Sequence, residues 1–189
     1  MGVVMNPWDN WRPEIDGWSS DILPFYEAIS EEIQDESNIA EIGVYQGRSL
    51  LYLAERLAAR GKTGCTIFAV DRFEADWCPQ MWERFSAHLA ATEPIARGLV
   101  KVCRGSSAVI SFGWSWPLDM VFIDGDHNYE SVRDDIAAWR PRVKTGGIIS
   151  GHDYSGDMYG SFPGVDQAVH EAFGKDNVLK PSGSVWRIR

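Results

Sequence analysis

Three things are scarce in this chain of 189 residues, and each scarcity closes off a class of function. Cysteine is the first: Cys65, Cys78 and Cys103 are the whole supply, their spacing matches neither a zinc site nor a redox pair, and an odd count leaves one unpaired. A disulfide-framed fold is excluded, and a reducing compartment is expected. Positive charge is the second. Lys and Arg number 18 against 27 Asp and Glu, a net charge of −9, which argues against nucleic acid as a partner because a phosphate backbone is bound by clustered cations. Long apolar runs are the third: no segment approaches the length of a membrane span, and the first residues lack a signal-peptide core. Met1-Gly2 opens like a myristoylation signal, but Asn6 stands where Ser or Thr is required. The expectation is a cytoplasmic protein with no membrane partner. Internal repeats and low-complexity linkers are also missing, so the length reads as one domain with a full core.

What is present is alternation. Residues 1–20 are rich in Trp and Pro (Pro7, Trp8, Trp11, Pro13, Trp18) and carry no strand or helix period. They are expected to form an arm on the domain, either as aromatic anchors in a groove or as a wall of an acceptor pocket. The domain proper, 21–189, begins with a helix at Asp21 whose apolar face is Ile22, Phe25, Tyr26, Ile29 and Ile33. Ile39, Ile42 and Val44 form an apolar strand that meets Gly43 and Gly47, after which Leu50, Leu53, Ala54, Leu57 and Ala58 recur at helical spacing, with Ser49 placed to cap and Gly61 to terminate. Further strands follow at 65–70, ending in Asp71, at 99–102, ending in Gly105-Ser106-Ser107, and at 120–123, ending in Asp124 and Asp126. Gly146-Gly147 is expected to turn the chain into a strand at Ile148-Ile149-Ser150, which runs into His152-Asp153. Helical spacing separates the strands, at Trp82, Phe85 and Leu89 and at Tyr129, Val132, Ile136 and Trp139. A Gly-rich loop over 154–164 leads into a last helix with Val165, Ala168, Val169, Ala172 and Phe173 on one face, and then two short strands near 177–179 and 185–188. The pattern predicts an α/β Rossmann-like fold: a seven-stranded, mostly parallel sheet, helices on both faces, and an antiparallel hairpin at the C-terminal edge.

In such sheets ligands bind beyond the carboxyl ends of the strands, where the polar residues from Gly43 to Asp153 fall. Dinucleotide binding is disfavoured, because Tyr45 and Arg48 occupy the second and third glycine positions of that fingerprint. The remaining pattern suits a cofactor with an amine, a carboxylate and a ribose diol: Glu41 would face the amine, Ser49 and the helix amides the carboxylate, and Asp71 the ribose. Plainer roles stand beside these. Asp126 and His127 could cap the helix near Asn128, His88 and His170 read as surface residues without a polar cluster, Asp134 and Asp135 as a solvated helix face, and Tyr129 and Trp139 as core.

Three segments, Glu41-Ile-Gly-Val-Tyr-Gln-Gly-Arg-Ser49, Phe122-Ile-Asp-Gly-Asp-His-Asn-Tyr-Glu130 and Gly146-Gly-Ile-Ile-Ser-Gly-His-Asp-Tyr154, together resemble the class I S-adenosylmethionine-dependent methyltransferases, within them the macrocin-type and catechol-type O-methyltransferases. The resemblance covers roughly residues 37 to 175. It implies that Gly43, Tyr45, Gly47 and Ser49 wrap the methionine part of S-adenosylmethionine with Glu41 beneath, that Asp71 holds the ribose, and that Ser106 and Ser107 meet adenine. It further implies that Asp124 ligates a divalent cation such as Mg²⁺ or Mn²⁺ together with His152 and Asp153, with His127 as base. His152 departs from the family's carboxylate or amide at that place, which weakens Mg²⁺ and leaves Mn²⁺, Fe²⁺ or Zn²⁺. A metal-free site, in which Asp126, His127, His152 and Asp153 orient and deprotonate the acceptor, is the alternative. The expected partner is a small hydroxylated acceptor, with a catalytically silent cofactor-binding module as the competing reading. Nine tryptophans fit either an acceptor that stacks on indole faces or an aromatic interface in a homo-oligomer, and the sequence leaves both open.

Overall fold

The structure is a computed structural model that describes residues 11–96 and 98–189. Its elements run α1 (Ile22–Glu32), β1 (Asn38–Ile42), α2 (Arg48–Ala59), β2 (Thr66–Asp71), α3 (Met81–Ala96), β3 (Val100–Arg104), α4 (Ser107–Phe112), β4 (Leu118–Ile123), α5 (Tyr129–Trp139), β5 (Val143–Gly151), α6 (Pro163–Phe173), β6 (Val178–Ser182) and β7 (Val185–Ile188). The sheet order is β3-β2-β1-β4-β5-β7-β6. Strands β1 to β5 pair in parallel, and β7 lies antiparallel between β5 and β6, so the expected fold class is the observed one.

Both sheet faces are covered, which is why the strands read as nearly continuous apolar runs. The period of two divides them: Ile39, Ile67, Ala69, Met120 and Phe122 pack against α1, α2 and α3, while Ala40, Ile42, Phe68, Val70, Val121 and Ile123 pack against the opposite layer with Trp114, Ile136 and Trp139. Glu41 falls on the first face, which sends its carboxylate into the layer under α1 and α2 rather than outward.

The order reverses between β1 and β4, and there the chain needs glycine. Gly43 has φ +85°, and a β-carbon on it would lie 2.0 Å from the Asp124 carbonyl oxygen. The loops after β1 and β4 therefore touch at the switch point, the place where such sheets bind ligands.

Two expectations are corrected. Gly146-Gly147 does not precede β5 but lies inside it: β5 starts at Val143, and its register against β4 shifts between Leu118↔Val143 and Met120↔Ile148, so the glycines form an irregularity within a longer strand. Ser49 does not cap α2. Gly47 occupies the cap position at φ +88°, and the Ser49 hydroxyl points to Glu41.

The described part of the arm is anchored on the domain at one end and reaches a cleft at the other. Trp11 Nε1 donates to Glu55 at 3.0 Å, Arg12 pairs with the same buried carboxylate at 2.6 Å, and Ile15 is buried. Burial of one such side chain contributes about 1.5–3 kcal/mol, enough to hold a short segment in place. Beyond that anchor Trp18 reaches the cleft, 75% exposed. Pro7 and Trp8 lie outside the described residues.

Candidate active site

A cleft of ≈ 840 Å³ opens at the carboxyl ends of β1, β2, β4 and β5. Its volume lies within the range of about 300–1,000 Å³ usual for small-molecule sites. Of the residues singled out from sequence, Gly43, Tyr45, Ser49, Asp71, Ser106, Ser107, Asp124, Asp126, His127, His152 and Asp153 line it. Glu41 and Gly47 stand behind the lining.

One end is shaped by the loop after β1. Gly43, Tyr45 and Gly47 all have positive φ, and for Tyr45, at +53°, that conformation is unfavourable. Its side chain is held in return: the hydroxyl donates to Asp16 at 2.8 Å, and the ring lies 5.3 Å from Trp77 and 6.0 Å from Trp18. Asp71 fixes the backbone. One carboxylate oxygen accepts from the Val44 and Tyr45 amides at 2.7 and 2.9 Å, and the other from Phe73 at 2.7 Å. His88 adds a contact from Nδ1 to the Gln46 carbonyl at 3.1 Å, so it supports this loop and is not the unengaged surface residue expected.

Glu41 lies beneath the loop, the place the resemblance implies, and does not face the cleft, against the expectation that it faces the amine. Its oxygens accept from Tyr26 and Ser49, both at 2.7 Å, in a fully enclosed position. Burial pushes its carboxyl up to about 8 against those two hydrogen bonds, with the nearby Asp124 and Asp71 adding repulsion. The hydroxyl that faces the cleft is that of Ser49, oriented by Glu41.

Past Asp71 the lining turns to Ser106 and Ser107. The Ser107 hydroxyl donates to Asp135 at 2.5 Å and accepts from Trp139 Nε1 at 2.7 Å, which draws Asp135 into the wall and corrects its reading as a solvated face. Trp139 is core as expected, whereas Tyr129 is half-buried and donates its hydroxyl to Glu171 at 2.6 Å.

The other end is a cluster of imidazoles and carboxylates. His152, buried at the end of β5, places Nδ1 3.4 Å from Asp124 and 3.3 Å from Asp153, and Nε2 2.9 Å from Asp21. Burial alone would lower the His152 pKa, but the bonds to Asp124, Asp153 and Asp21 outweigh it and push it up to about 12. Burial likewise opposes ionisation of Asp153, and His127 and His152 overcome it, holding that carboxyl well below its usual range. Asp124 is different: burial dominates and raises it. His127 Nε2 meets Asp153 at 2.9 Å, an interaction that raises its pKa, and its ring lies 4.3 Å from Phe162.

Asp126 lines the cleft, but its oxygens are occupied by the turn before α5, accepting from the amides of His127 and Asn128 and from the Asn128 side chain. Burial resists this, yet the amide donors prevail and lower its pKa. The cap of α5 is Asn128, whose Oδ1 accepts from the Ser131 amide at 2.9 Å. An unexpected carboxylate shapes the loop over 154–162: buried Asp166 accepts from the amides of Ser155, Gly156 and Met158, and this loop carries Phe162 to His127. His170, expected at the surface, meets the Tyr154 hydroxyl at 2.7 Å.

Sequence reasoning missed Asp21, Asp135 and Phe162 as neighbours of the site. Asp21 begins a helix, and nothing local marks it as reaching 131 residues ahead to His152.

A family model described as a methyltransferase domain matches residues 40–154. Among solved structures, an O-methyltransferase from Bacillus cereus in complex with SAH is 16% identical over 94% of this chain and 84% of its own, with a TM-score of 0.65. The O-methyltransferase TomG from Streptomyces achromogenes, involved in tomaymycin synthesis and solved with SAM, is 18% identical over 93% and 82%, with a TM-score of 0.64. A protein described as an rRNA methylase from Clostridium thermocellum is 14% identical over 87% and 93%, with a TM-score of 0.61. At these identities the likeness carries the fold alone.

Proposed function

The chain belongs to this methyltransferase-domain family, and on that footing we propose that it transfers the methyl group of S-adenosylmethionine to a hydroxyl oxygen of a small acceptor of sugar, phenolic or natural-product type. The observation that carries the reading is the meeting, in one cleft, of the Gly43–Gly47 loop with the cluster of Asp124, His127, His152 and Asp153. The net charge of −9 favours a small molecule over a nucleic acid as acceptor.

Methyl transfer from a sulfonium is an in-line displacement: the acceptor oxygen forms a bond to the methyl carbon as the carbon–sulfur bond breaks, and the acceptor proton leaves. The donor is reactive, so alignment is the protein's main task. The loop after β1 would hold the methionine part of the cofactor. Because Ser49 donates its proton to Glu41, its oxygen is free to accept from the cofactor's ammonium, and Glu41 acts on the amine through Ser49. Asp71, whose Oδ2 accepts two amides and whose Oδ1 accepts one, keeps one accepting site on Oδ1 that would take a ribose hydroxyl while it holds the loop. Ser106 and Ser107 would meet the adenine.

At the other end, Asp153 orients the His127 ring through Nε2, so the acceptor proton would be taken at Nδ1. The ordinary pKa of histidine, about 6.5, suits the task, and the Asp153 carboxylate raises it further. Asp124, His152 and Asp153 offer one imidazole nitrogen and two carboxylates within 4.8 Å of one another. The Nδ1 to oxygen separations of 3.3 and 3.4 Å fit ligands about 2.0–2.1 Å from a shared ion. The mixed donor set favours Mn²⁺, Fe²⁺ or Zn²⁺ over Mg²⁺. A divalent ion held there lowers the pKa of an acceptor hydroxyl and fixes its position. Phe162 and Trp18 add aromatic surface to the cleft lining.

Calorimetry with S-adenosylmethionine, followed by a methyl-transfer assay on a panel of catechols, glycosides and other hydroxylated acceptors with added Mn²⁺ or chelator, tests this. Binding with chelator-sensitive transfer supports the whole reading. Transfer that ignores chelator keeps the O-methyltransferase and discards the ion. Binding with transfer to none of them points to a silent cofactor-binding module.

A further inference from the structure

Asp21 stands apart from the other carboxylates around His152. It belongs to the segment before α1, 131 residues away in sequence, and it meets the nitrogen of the ring that faces away from the cluster. Its Oδ1 lies 2.9 Å from His152 Nε2. Its Oδ2 accepts from the Ser184 amide at 2.7 Å and from the Ser184 hydroxyl at 2.8 Å, in the turn between β6 and β7. That turn is shaped around the carboxylate: Gly183 has φ +45°, and a β-carbon on it would sit 2.4 Å from Oδ2. As the residue preceding α1, Asp21 could serve as an N-cap, yet its side chain makes no capping bond. The carboxylate is committed to His152 and the hairpin.

An ionised carboxylate only accepts hydrogen bonds, so the contact with Nε2 requires the proton on that nitrogen. When a bound cation displaces the Nδ1 proton, the ring that remains is neutral, with its proton on Nε2 and its lone pair on Nδ1, the atom aimed at Asp124 and Asp153. A carboxylate behind a ligating imidazole fixes the ring's tautomer and orientation and strengthens it as a donor. We propose that Asp21 is a positioning residue that sets the His152 tautomer for divalent-cation binding with Asp124 and Asp153, through a bond braced by the β6–β7 turn. The inference rests on the reading of those three residues as a cation site. It assigns the segment before α1 and the C-terminal hairpin a part in that site, although neither supplies a ligand.

The test compares the full chain with Asp21→Asn and Ser184→Ala. The amide keeps the size of the side chain and loses the charge, while Ser184→Ala removes a hydroxyl that donates to Asp21 and also lies 3.0 Å from His152 Nε2, and leaves the carboxylate in place. The readouts are Mn²⁺ affinity from the free-ion EPR signal, ¹⁵N imidazole shifts of His152 with Zn²⁺, and S-adenosylmethionine affinity as a check on the fold. The expected result is a loss of about 10–100-fold in Mn²⁺ affinity for Asp21→Asn, with a His152 signal no longer held as the Nε2–H form and donor binding unchanged, and a clearly smaller loss for Ser184→Ala. Asp21→Glu should recover part of the loss. Equal Mn²⁺ affinity in wild type and Asp21→Asn, or equal losses in Asp21→Asn and Ser184→Ala, would overturn the role of Asp21 and spare the cation site. Absence of Mn²⁺ and Zn²⁺ binding by the wild type would overturn both.

Discussion

The two ends of the cleft are made in different ways. At the glycine-loop end the backbone does the shaping: Gly43, Tyr45 and Gly47 take left-handed conformations, and Asp71 fixes two loop amides against β2. At the histidine end the backbone only delivers side chains, and a balance of charge sets their arrangement, with His152 among Asp21, Asp124 and Asp153. The first kind of site is set mainly by backbone conformation. The second depends on what carries the positive charge, and so is the natural place for control by pH or by a cation.

The largest effect is expected where the two ends touch. In Gly43→Ala the new methyl would lie 2.0 Å from the Asp124 carbonyl, in a backbone conformation that disfavours any L side chain. Backbone on one side and sheet on the other leave no room to relax. The variant should lose more than about 3 kcal/mol of stability by thermal unfolding, and donor binding and Mn²⁺ binding together. Loss of only one would show the ends to be less coupled than the contact implies.

The next effect should fall on one end alone. Asp124→Asn removes a charge from the cation set and should reduce methyl transfer by about 10²-fold or more while leaving S-adenosylmethionine affinity within about 2-fold in calorimetry. Asp71→Asn should do the reverse. With only one accepting oxygen left it cannot hold Val44, Tyr45 and Phe73 together, so donor affinity should fall about 10–100-fold with Mn²⁺ affinity intact. A variant that moved both affinities would break the division drawn here.

The same division explains what the sequence could reveal. The glycine-loop end is local: an apolar strand, glycines four apart and a helical period lie within about twenty residues, and the next strand ends in Asp71. The fold is legible for a similar reason, since strands buried on both faces announce themselves as apolar runs. The histidine end is not local. Asp124, His127, His152 and Asp153 could be picked out because each follows a strand, but Asp21 and Ser184 reach the cluster only through tertiary packing. Asp135 looked solvated because helical spacing cannot show that Ser107 sits opposite it. Glu41 stands at a strand end, where period-two alternation turns its carboxylate under α1, beneath the loop and away from the cleft.

Glu41 supplies the smallest and sharpest test. Its carboxyl is pushed up to about 8, against an ordinary value of 4.5, because burial disfavours the charged form. Between those values the folded protein binds a proton that the unfolded chain has lost, so this group makes stability fall as pH rises from about 4.5 to about 8. Below 4.5 both states are protonated and the penalty vanishes. Glu41→Gln mimics the neutral acid: Gln accepts one hydroxyl, and the other can rotate to accept from its amide. The two proteins should therefore have similar unfolding temperatures near pH 4.5, and the variant should gain roughly 1–3 kcal/mol on wild type by pH 8, as a difference in urea unfolding. Glu41 touches no cation ligand directly, and Asp124 adds only a secondary repulsion to its carboxyl, so Mn²⁺ affinity should differ by less than about 3-fold between the two proteins across this range. A larger, pH-dependent difference would show that the charge of Glu41 acts strongly on Asp124 through the sheet, and that the two ends are electrostatically joined.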